Sequence, residues 1–277
     1  MRTLSFDKYE GLGNDFILAQ GPPHREGARL LSPDEVRAVC DRHRGVGADG
    51  VLWTGIDDGR PFMRVLNADG STAEMCGNGL RCVALYLVRR GIVQERSFEI
   101  DTDAGPHHVR VIDDGSPGWV EVAMRAPSFE ASNVPVLVDS PMIDVELFDG
   151  VRGTAVSMGN PHFVIFDVQG SERLSLAMRA QADARFPESV NVGFAEMEDA
   201  RRLTLHVYER GVGFTEACGT GACAAAAAAV EAGRAARGVP LEVTLPGGVL
   251  EITVREPGER VLMRGPAHHV FTGEIAL

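Results

Sequence analysis

Short apolar–polar alternations recur along the chain. In the first half they fall in FMRVLN (62–67), RSFEIDT (96–102), HHVRVI (107–112) and WVEVAM (119–124), bounded by Gly, Asp or Pro. In the second half LTLHVYE (203–209), LEVTL (241–245), LEITV (250–254) and RVLMRG (260–265) repeat the theme. A two-residue period sends alternate side chains to opposite faces, so these runs predict β-strands. Ser32-Pro33-Asp34-Glu35 predicts the start of a short helix, with serine as N-cap and proline at the first helical position.

Two segments break the strand rhythm. One helix is predicted to start at Cys76, within STAEMCGNGLRCVALYLVRRG (71–91), and another at Cys218, within FTEACGTGACAAAAAAVEAG (214–233). Both are apolar on most faces, the pattern of a buried helix rather than an amphipathic one. In the second, Ala222 and Ala224 to Ala229 carry so little side chain that surrounding backbone can approach from every direction. An exposed alanine helix, favoured by propensity alone, would want Lys and Glu on one face, and no charge appears before Glu231.

The two segments also share a plan: acidic residue, spacer, Cys, Gly, polar residue, Gly, then a helix closed by Gly. A second marker repeats with them, since GLGNDFIL (11–18) resembles SMGNPHFVIF (157–166). The asparagines at 14 and 160 are shifted by 146 residues and the cysteines at 76 and 218 by 142. Two markers in the same order with nearly the same shift predict an internal duplication, two copies of roughly 130 to 140 residues each. Each copy reads as several short strands around one long helix.

A hydrophobic fraction of 44% over 277 residues supports a sizeable core. The 39 acidic residues outnumber the 27 basic ones, giving a formal charge of −12, which disfavours nucleic acid or an anionic membrane as a partner. Charges at Asp7, Lys8, Glu10 and Asp15 interrupt the apolar stretch a signal peptide needs, and the apolar run Ala222 to Ala232 is too short to span a bilayer. A cytoplasmic location is expected. Five cysteines, at 40, 76, 82, 218 and 223, make a disulfide framework unexpected, and their spacings do not match those of structural zinc sites, so no metal is expected.

Cys40, Cys82 and Cys223 sit inside helical patterns and read as packing residues. Cys76 and Cys218 sit at helix starts. There the unpaired backbone N–H groups and the positive end of the dipole favour a thiolate, so both thiols are expected to be more acidic than a free cysteine. Gly77, Gly79, Gly219 and Gly221 permit a ligand to approach the backbone donors closely. Duplicated cysteines at duplicated helix starts suit a reaction needing two equivalent groups. Inversion of a stereocentre is one: a base takes a proton from one face of a carbon while an acid delivers one to the other, and reversibility exchanges the two roles.

These residues are similar to those of the diaminopimelate epimerase family over the whole chain. The matching blocks are GLGNDF (11–16), DRHRGVGADG (41–50), NADGSTAEMCGNGLRC (67–82), SMGNPHFV (157–164), VNVGF (190–194) and ERGVGFTEACGTGAC (209–223). The resemblance implies an α+β fold of two pseudo-symmetric domains, each a β-barrel-like sheet around a central helix, with the active site in the cleft between them. It implies an N-terminal domain of residues 1–119 plus 263–277 carrying Cys76, and a C-terminal domain of residues 120–262 carrying Cys218. It further implies a cofactor-independent enzyme of lysine and peptidoglycan precursor synthesis, a small amino-acid substrate, and a homodimer. Interconversion of LL- and meso-2,6-diaminopimelate is the implied reaction.

Position by position, the resemblance makes Cys76 and Cys218 the acid/base groups and gives His162 and Glu209 the tuning of those thiols. Substrate contacts fall on Asn14, Asn67, Asn160, Asn191, Glu209 and Arg210. The backbone N–H groups of Gly77, Asn78, Gly219 and Thr220 would hold the reacting carboxylate, and Arg210 is expected as the buried partner of a distal carboxylate. One departure is Gly50, where some relatives carry a glutamine that touches substrate. Three alternatives stay open: a dinucleotide-binding turn at GTGACA (219–224), a cofactor-independent racemase of another amino acid in the same superfamily, and a non-catalytic binding module.

Overall fold

The computed structural model describes residues 2–22, 31–168 and 170–277; Met1, residues 23–30 and residue 169, which the expected domain ranges include, lie outside them. The chain divides into two compact units, one of Met1–Val122 with Arg264–Leu277 and one of Ala123–Met263.

In the first unit β1 (Thr3–Gly11) and β2 (Asn14–Gln20) precede the short helix α1 (Pro33–Cys40). Next come β3 (Gly50–Asp57), β4 (Arg60–Asn67), β5 (Thr72–Ala73), the long helix α2 (Gly77–Arg89), β6 (Ser97–Thr102), β7 (Gly105–Asp113) and β8 (Gly118–Ala123). Pairing runs β1–β2–β3–β4–β6–β7–β8, and the last strand of the chain, β17 (Leu262–Ala276), joins β8 to β1. Eight strands thus close a barrel. Two of its steps, β2–β3 and β4–β6, are parallel. Parallel neighbours need a long crossover, and α1 and α2 lie within the two crossovers. The first packs outward residues into a small core through Val36, Val39 and Cys40, after a capping box in which Ser32 and Glu35 exchange hydrogen bonds. The second is enclosed: every residue from Asn78 to Leu87 is buried, and the helix packs on β1, β2, β3, β4 and β7.

The second unit repeats this plan. After β9 (Val145–Phe148) come β10 (Val151–Ser157), β11 (Pro161–Phe166), helix α3 (Arg173–Gln181), β12 (Asn191–Asp199), β13 (Arg202–Glu209) and β14 (Gly213–Thr215). Helix α4 (Gly219–Glu231), β15 (Leu241–Leu245) and β16 (Gly248–Thr253) complete it. Antiparallel β10–β11, parallel β11–β12, antiparallel β12–β13, parallel β13–β15 and antiparallel β15–β16 reproduce the sequence of steps in the first unit. Helix α4 packs on β10, β11, β12, β13, β15 and β16, and Ala222 and Ala224 to Ala229 are all 0% exposed.

Both long helices end alike. Arg90 and Ala232 are the C-caps, and Gly91 and Gly233 follow with φ of 64° and 69°. Gly91 N–H donates to Val88 O and Ile92 N–H to Leu87 O; Gly233 N–H donates to Val230 O and Arg234 N–H to Ala229 O. These are two Schellman motifs, and the left-handed turn each requires is why both helices close on glycine. The sequence patterning located eight of the strands and both enclosed helices, with most ends moved by a few residues and β17 running to Ala276 rather than residue 265; β1, β2, β3, β5, β9, β10, β11, β12 and β14, which the alternation did not single out, complete the sheets. Among the described residues no helix is long and apolar enough to cross a membrane.

Enclosure of α4 sets a strict limit on side-chain size. Replacing Ala226, fully buried, by leucine should cost about 1–3 kcal/mol through overpacking. The same change at exposed Ala236, just beyond the helix, should leave Tm within about a degree or two, as surface changes do. Thermal unfolding of the two variants checks this.

Candidate active site

Cys76 and Cys218 are the N-caps of α2 and α4. Both have extended backbone, with φ, ψ of −139°, 116° and −129°, 102°, and each sulfur accepts a hydrogen bond from the residue three further on. Gly79 N–H reaches Cys76 Sγ at 3.4 Å and Gly221 N–H reaches Cys218 Sγ at 3.4 Å. The N–H groups of Gly77, Asn78, Gly219 and Thr220 belong to the same first turns, where no intrahelical acceptor exists. The glycine at the third position is sterically required in the second unit: a Cβ on Gly221 would stand 2.9 Å from Val207 and 3.1 Å from Cys218 Sγ.

A chain of polar side chains leads away from Cys218. Its sulfur lies 3.6 Å from Thr220 Oγ1, Thr220 Oγ1 accepts from Asn160 Nδ2 at 3.4 Å, and Asn160 Oδ1 meets His162 Nε2 at 3.1 Å. His162 is buried, and burial pushes its pKa down to about 3, so its imidazole is neutral, joined to Cys218 by this chain of contacts. On another side stands Glu209, whose Oε1 accepts from Thr215 Oγ1 at 2.7 Å. The Cys218 thiol is pushed up to about 12, first by burial and then by the Glu209 charge, against the opposing hydrogen bonds of Thr220 and Gly221. This corrects the expectation of an acidic thiol. A helix terminus supplies at most about 2 kcal/mol, or roughly 1.5 pKa units, whereas full burial shifts a group by up to ~3–5 units.

Asn191 is fixed between two loops. Its Nδ2 donates to Pro161 O at 3.1 Å and its Oδ1 accepts from Arg210 N–H at 2.9 Å. The Arg210 side chain is exposed, with its guanidinium on Glu188 O at 2.6 Å, so the expected buried partner for a distal carboxylate is a solvated side chain here.

In the first unit Cys76 lies 3.9 Å from Asn14 Oδ1, which also accepts from Asn78 Nδ2 at 3.3 Å. Asn14 Nδ2 donates to Asp49 Oδ2 at 2.7 Å. Asp49 pairs with Arg42 at 2.7 Å, Arg42 with Asp15 at 2.6 Å, and Asp15 with the buried Lys8 ammonium at 2.5 Å. Burial alone would raise the Asp15 carboxyl, but hydrogen bonds from Arg42 and Lys8 outweigh it and hold it at about 2. Asn67 stands apart from this network, its Nδ2 on Ser71 Oγ at 2.9 Å and its backbone opposite Gly50 in the β3–β4 ladder. A Cβ at Gly50 would fall 2.6 Å from Leu66 O, which is why a glutamine has no room there without backbone movement.

The chain is similar to known proteins. The family model for diaminopimelate epimerase covers residues 6–130 and 154–270. A diaminopimelate epimerase of Geobacillus kaustophilus (strain HTA426) is 43% identical over 287 residues, spanning 99% of this chain and 97% of that one. The chain belongs to the diaminopimelate epimerase family. It is therefore an isomerase of the epimerase class. Solved structures carry the same fold at low identity. A phenazine biosynthesis protein of the PhzF family from Bacillus anthracis superposes with a TM-score of 0.71 at 15% identity, over 100% of both chains. A hydroxyproline epimerase from Agrobacterium vitis, with trans-4-hydroxy-L-proline bound, gives 0.69 at 15% identity, over 100% of this chain and 92% of that one.

The residues that sequence reasoning passed over are Asp49, Arg42 and Thr215. Asp49 lies inside a block shared with the epimerase family, yet nothing in its local sequence ties it to Asn14; only the parallel β2–β3 register, Phe16 opposite Gly50, brings the two together.

If the Glu209 charge helps hold the Cys218 proton, Glu209→Gln should shift the pH profile of Cys218 alkylation to lower pH. In the unaltered protein the rate should still be climbing at pH 10, as a pKa of about 12 requires. Iodoacetamide labelling located by tandem mass spectrometry reads both; equal profiles for the two proteins would remove Glu209 from this role.

Proposed function

We propose that the protein interconverts LL- and meso-2,6-diaminopimelate by moving a proton across one Cα between two thiols. The carrying observation is that Cys76 and Cys218 cap equivalent buried helices, in a member of a family named for this activity. One sulfur, as thiolate, takes the Cα proton and becomes S–H; the electron pair left on carbon delocalises into the adjacent carboxylate. The other thiol gives its proton to the opposite face and becomes the thiolate. The two cysteines end with exchanged protonation, and the reverse reaction starts from that state.

First-turn N–H groups of Gly77, Asn78, Gly219 and Thr220 receive the carboxylate and stabilise the charge that accumulates on it. Glu209 would face the substrate ammonium. As that cation enters, it offsets the carboxylate charge that burdens Cys218, so the thiol loses its proton more readily with substrate bound than without. Asn14, Asn67, Asn160 and Asn191 supply hydrogen bonds to the substrate. Arg210, solvated in the free protein, meets the distal carboxylate as a planar fork. His162 acts at one remove, by orienting Asn160 and through it Thr220. The reading places the enzyme in the cytoplasm, as a homodimer, in the supply of lysine and of peptidoglycan precursors.

The test is incubation of the purified protein with LL-2,6-diaminopimelate in D₂O. Proton spectra should lose one Cα–H signal as the meso isomer forms. Cys76→Ala and Cys218→Ala should each lower turnover by at least about 10²-fold, the usual worth of a general acid or base. Substantial turnover in either variant defeats the two-thiol reading. Racemisation of lysine or histidine at the rate seen with diaminopimelate would transfer the assignment to a racemase of another amino acid.

A further inference from the structure

The asparagines at 14 and 160 occupy duplicated places, yet their amides point opposite ways. Asn160 presents its Nδ2 toward the cysteine side, to Thr220, and its Oδ1 to His162. Asn14 presents its Oδ1 to Cys76 and Asn78 and its Nδ2 away from them, to Asp49. An amide looks nearly symmetrical, so its direction is decided by its most demanding neighbour. Here that neighbour is a carboxylate, which only accepts. With Asp49 Oδ2 at 2.7 Å, the NH₂ end of Asn14 must face Asp49 and the carbonyl oxygen must face the sulfur.

Asp49 is itself firmly held. Its Oδ2 also accepts from Asp15 N–H at 3.0 Å, its Oδ1 takes Arg42 at 2.7 Å, and its own N–H donates to Asp15 O at 2.9 Å. Lys8 anchors the far end of the ladder through Asp15.

We propose that Asp49 is a positioning residue for Cys76: by fixing the Asn14 amide with its oxygen toward the sulfur, it holds Cys76 as a protonated thiol until substrate binds. An acceptor beside a thiol favours S–H, whereas an N–H in the same place favours the thiolate. The proposal rests on Cys76 being an acid/base group of the reaction. The charged and titratable groups around this corner are Asp49, Arg42, Asp15 and Lys8 behind Asn14, Glu10 at the end of β1, and Arg81 and Cys82 on α2. Of these, only Asp49 touches the Asn14 amide directly.

The test is the pH profile of Cys76 alkylation by iodoacetamide in the full chain, without substrate. Cleavage after Arg81 separates the Cys76 peptide from the one carrying buried Cys82. In Asp49→Asn the amide of Asn14 is free to turn, and the midpoint should fall by about half a pH unit or more, the size of one modest hydrogen bond. Asn14→Ala removes the acceptor and should lower the midpoint similarly. Adding Asp49→Asn to Asn14→Ala should change nothing further, because Asp49 acts through that amide.

Additive shifts in the double variant would mean that Asp49 acts by charge or packing, and would overturn the proposal. So would an unshifted midpoint in Asp49→Asn. If circular dichroism shows Asp49→Asn to be unfolded, Asn14→Ala alone decides, since an unshifted midpoint there also overturns it. No substrate enters the measurement. A protein with the non-additive pattern that leaves diaminopimelate untouched would lose the proposed reaction and keep this assignment.

Discussion

Each long helix is enclosed by strands along its body but begins at a half-buried first turn, and the two catalytic candidates stand at that boundary. Each long helix leaves backbone N–H groups without an intrahelical acceptor. A cysteine at the N-cap gives one of them a soft acceptor, at 3.4 Å in both units, and leaves its neighbours available to an anion. The second helix is also thin, nearly all alanine, so the strands around it can come close to its backbone. Capping and burial are therefore two sides of one requirement, and the cysteine stands where both are felt.

Burial also decides the resting chemistry. A solvent-exposed cap would let the dipole acidify the thiol, but at Cys218 desolvation dominates and a nearby carboxylate adds to it. A protonated Cys218 is less nucleophilic and less open to oxidation than its thiolate. In the proposed reaction, activation comes from what the substrate brings: an ammonium to oppose Glu209, and a carboxylate to meet the helix N-termini.

Much of this was legible in the chain. The repeated Cys-Gly-x-Gly and the closing glycines at 91 and 233 marked the ends of both helices, because glycine turns left-handed at low cost, and their apolar bodies, nearly all alanine in the second, announced enclosure. The duplication showed itself through Asn14 and Asn160 as well as the cysteines. What those residues do with their hydrogen bonds was not legible. The direction of the Asn14 amide depends on Asp49, 35 residues away and adjacent only through a parallel ladder. Arg210 read as a buried clamp because its charge suits a carboxylate, yet exposure is a property of the surrounding fold rather than of the residue. The acidity of Cys218 depended on how completely strands cover it, which no local motif encodes.

The closing strand of the first barrel has a consequence for the order in which the molecule can be completed. β17 pairs with both β1 and β8, yet it is drawn from residues 262–276, about 140 residues beyond β8 in sequence. While the polypeptide emerges from the ribosome, the edges of β1 and β8 stay open until residues 262–276 have been made, and open edges are where strands pair with the wrong neighbour. The second unit is contiguous, Ala123 to Met263, and has no such wait. The unit whose strands are made first is thus the one completed later, and a change within β17 would be felt in the barrel that β1 opens.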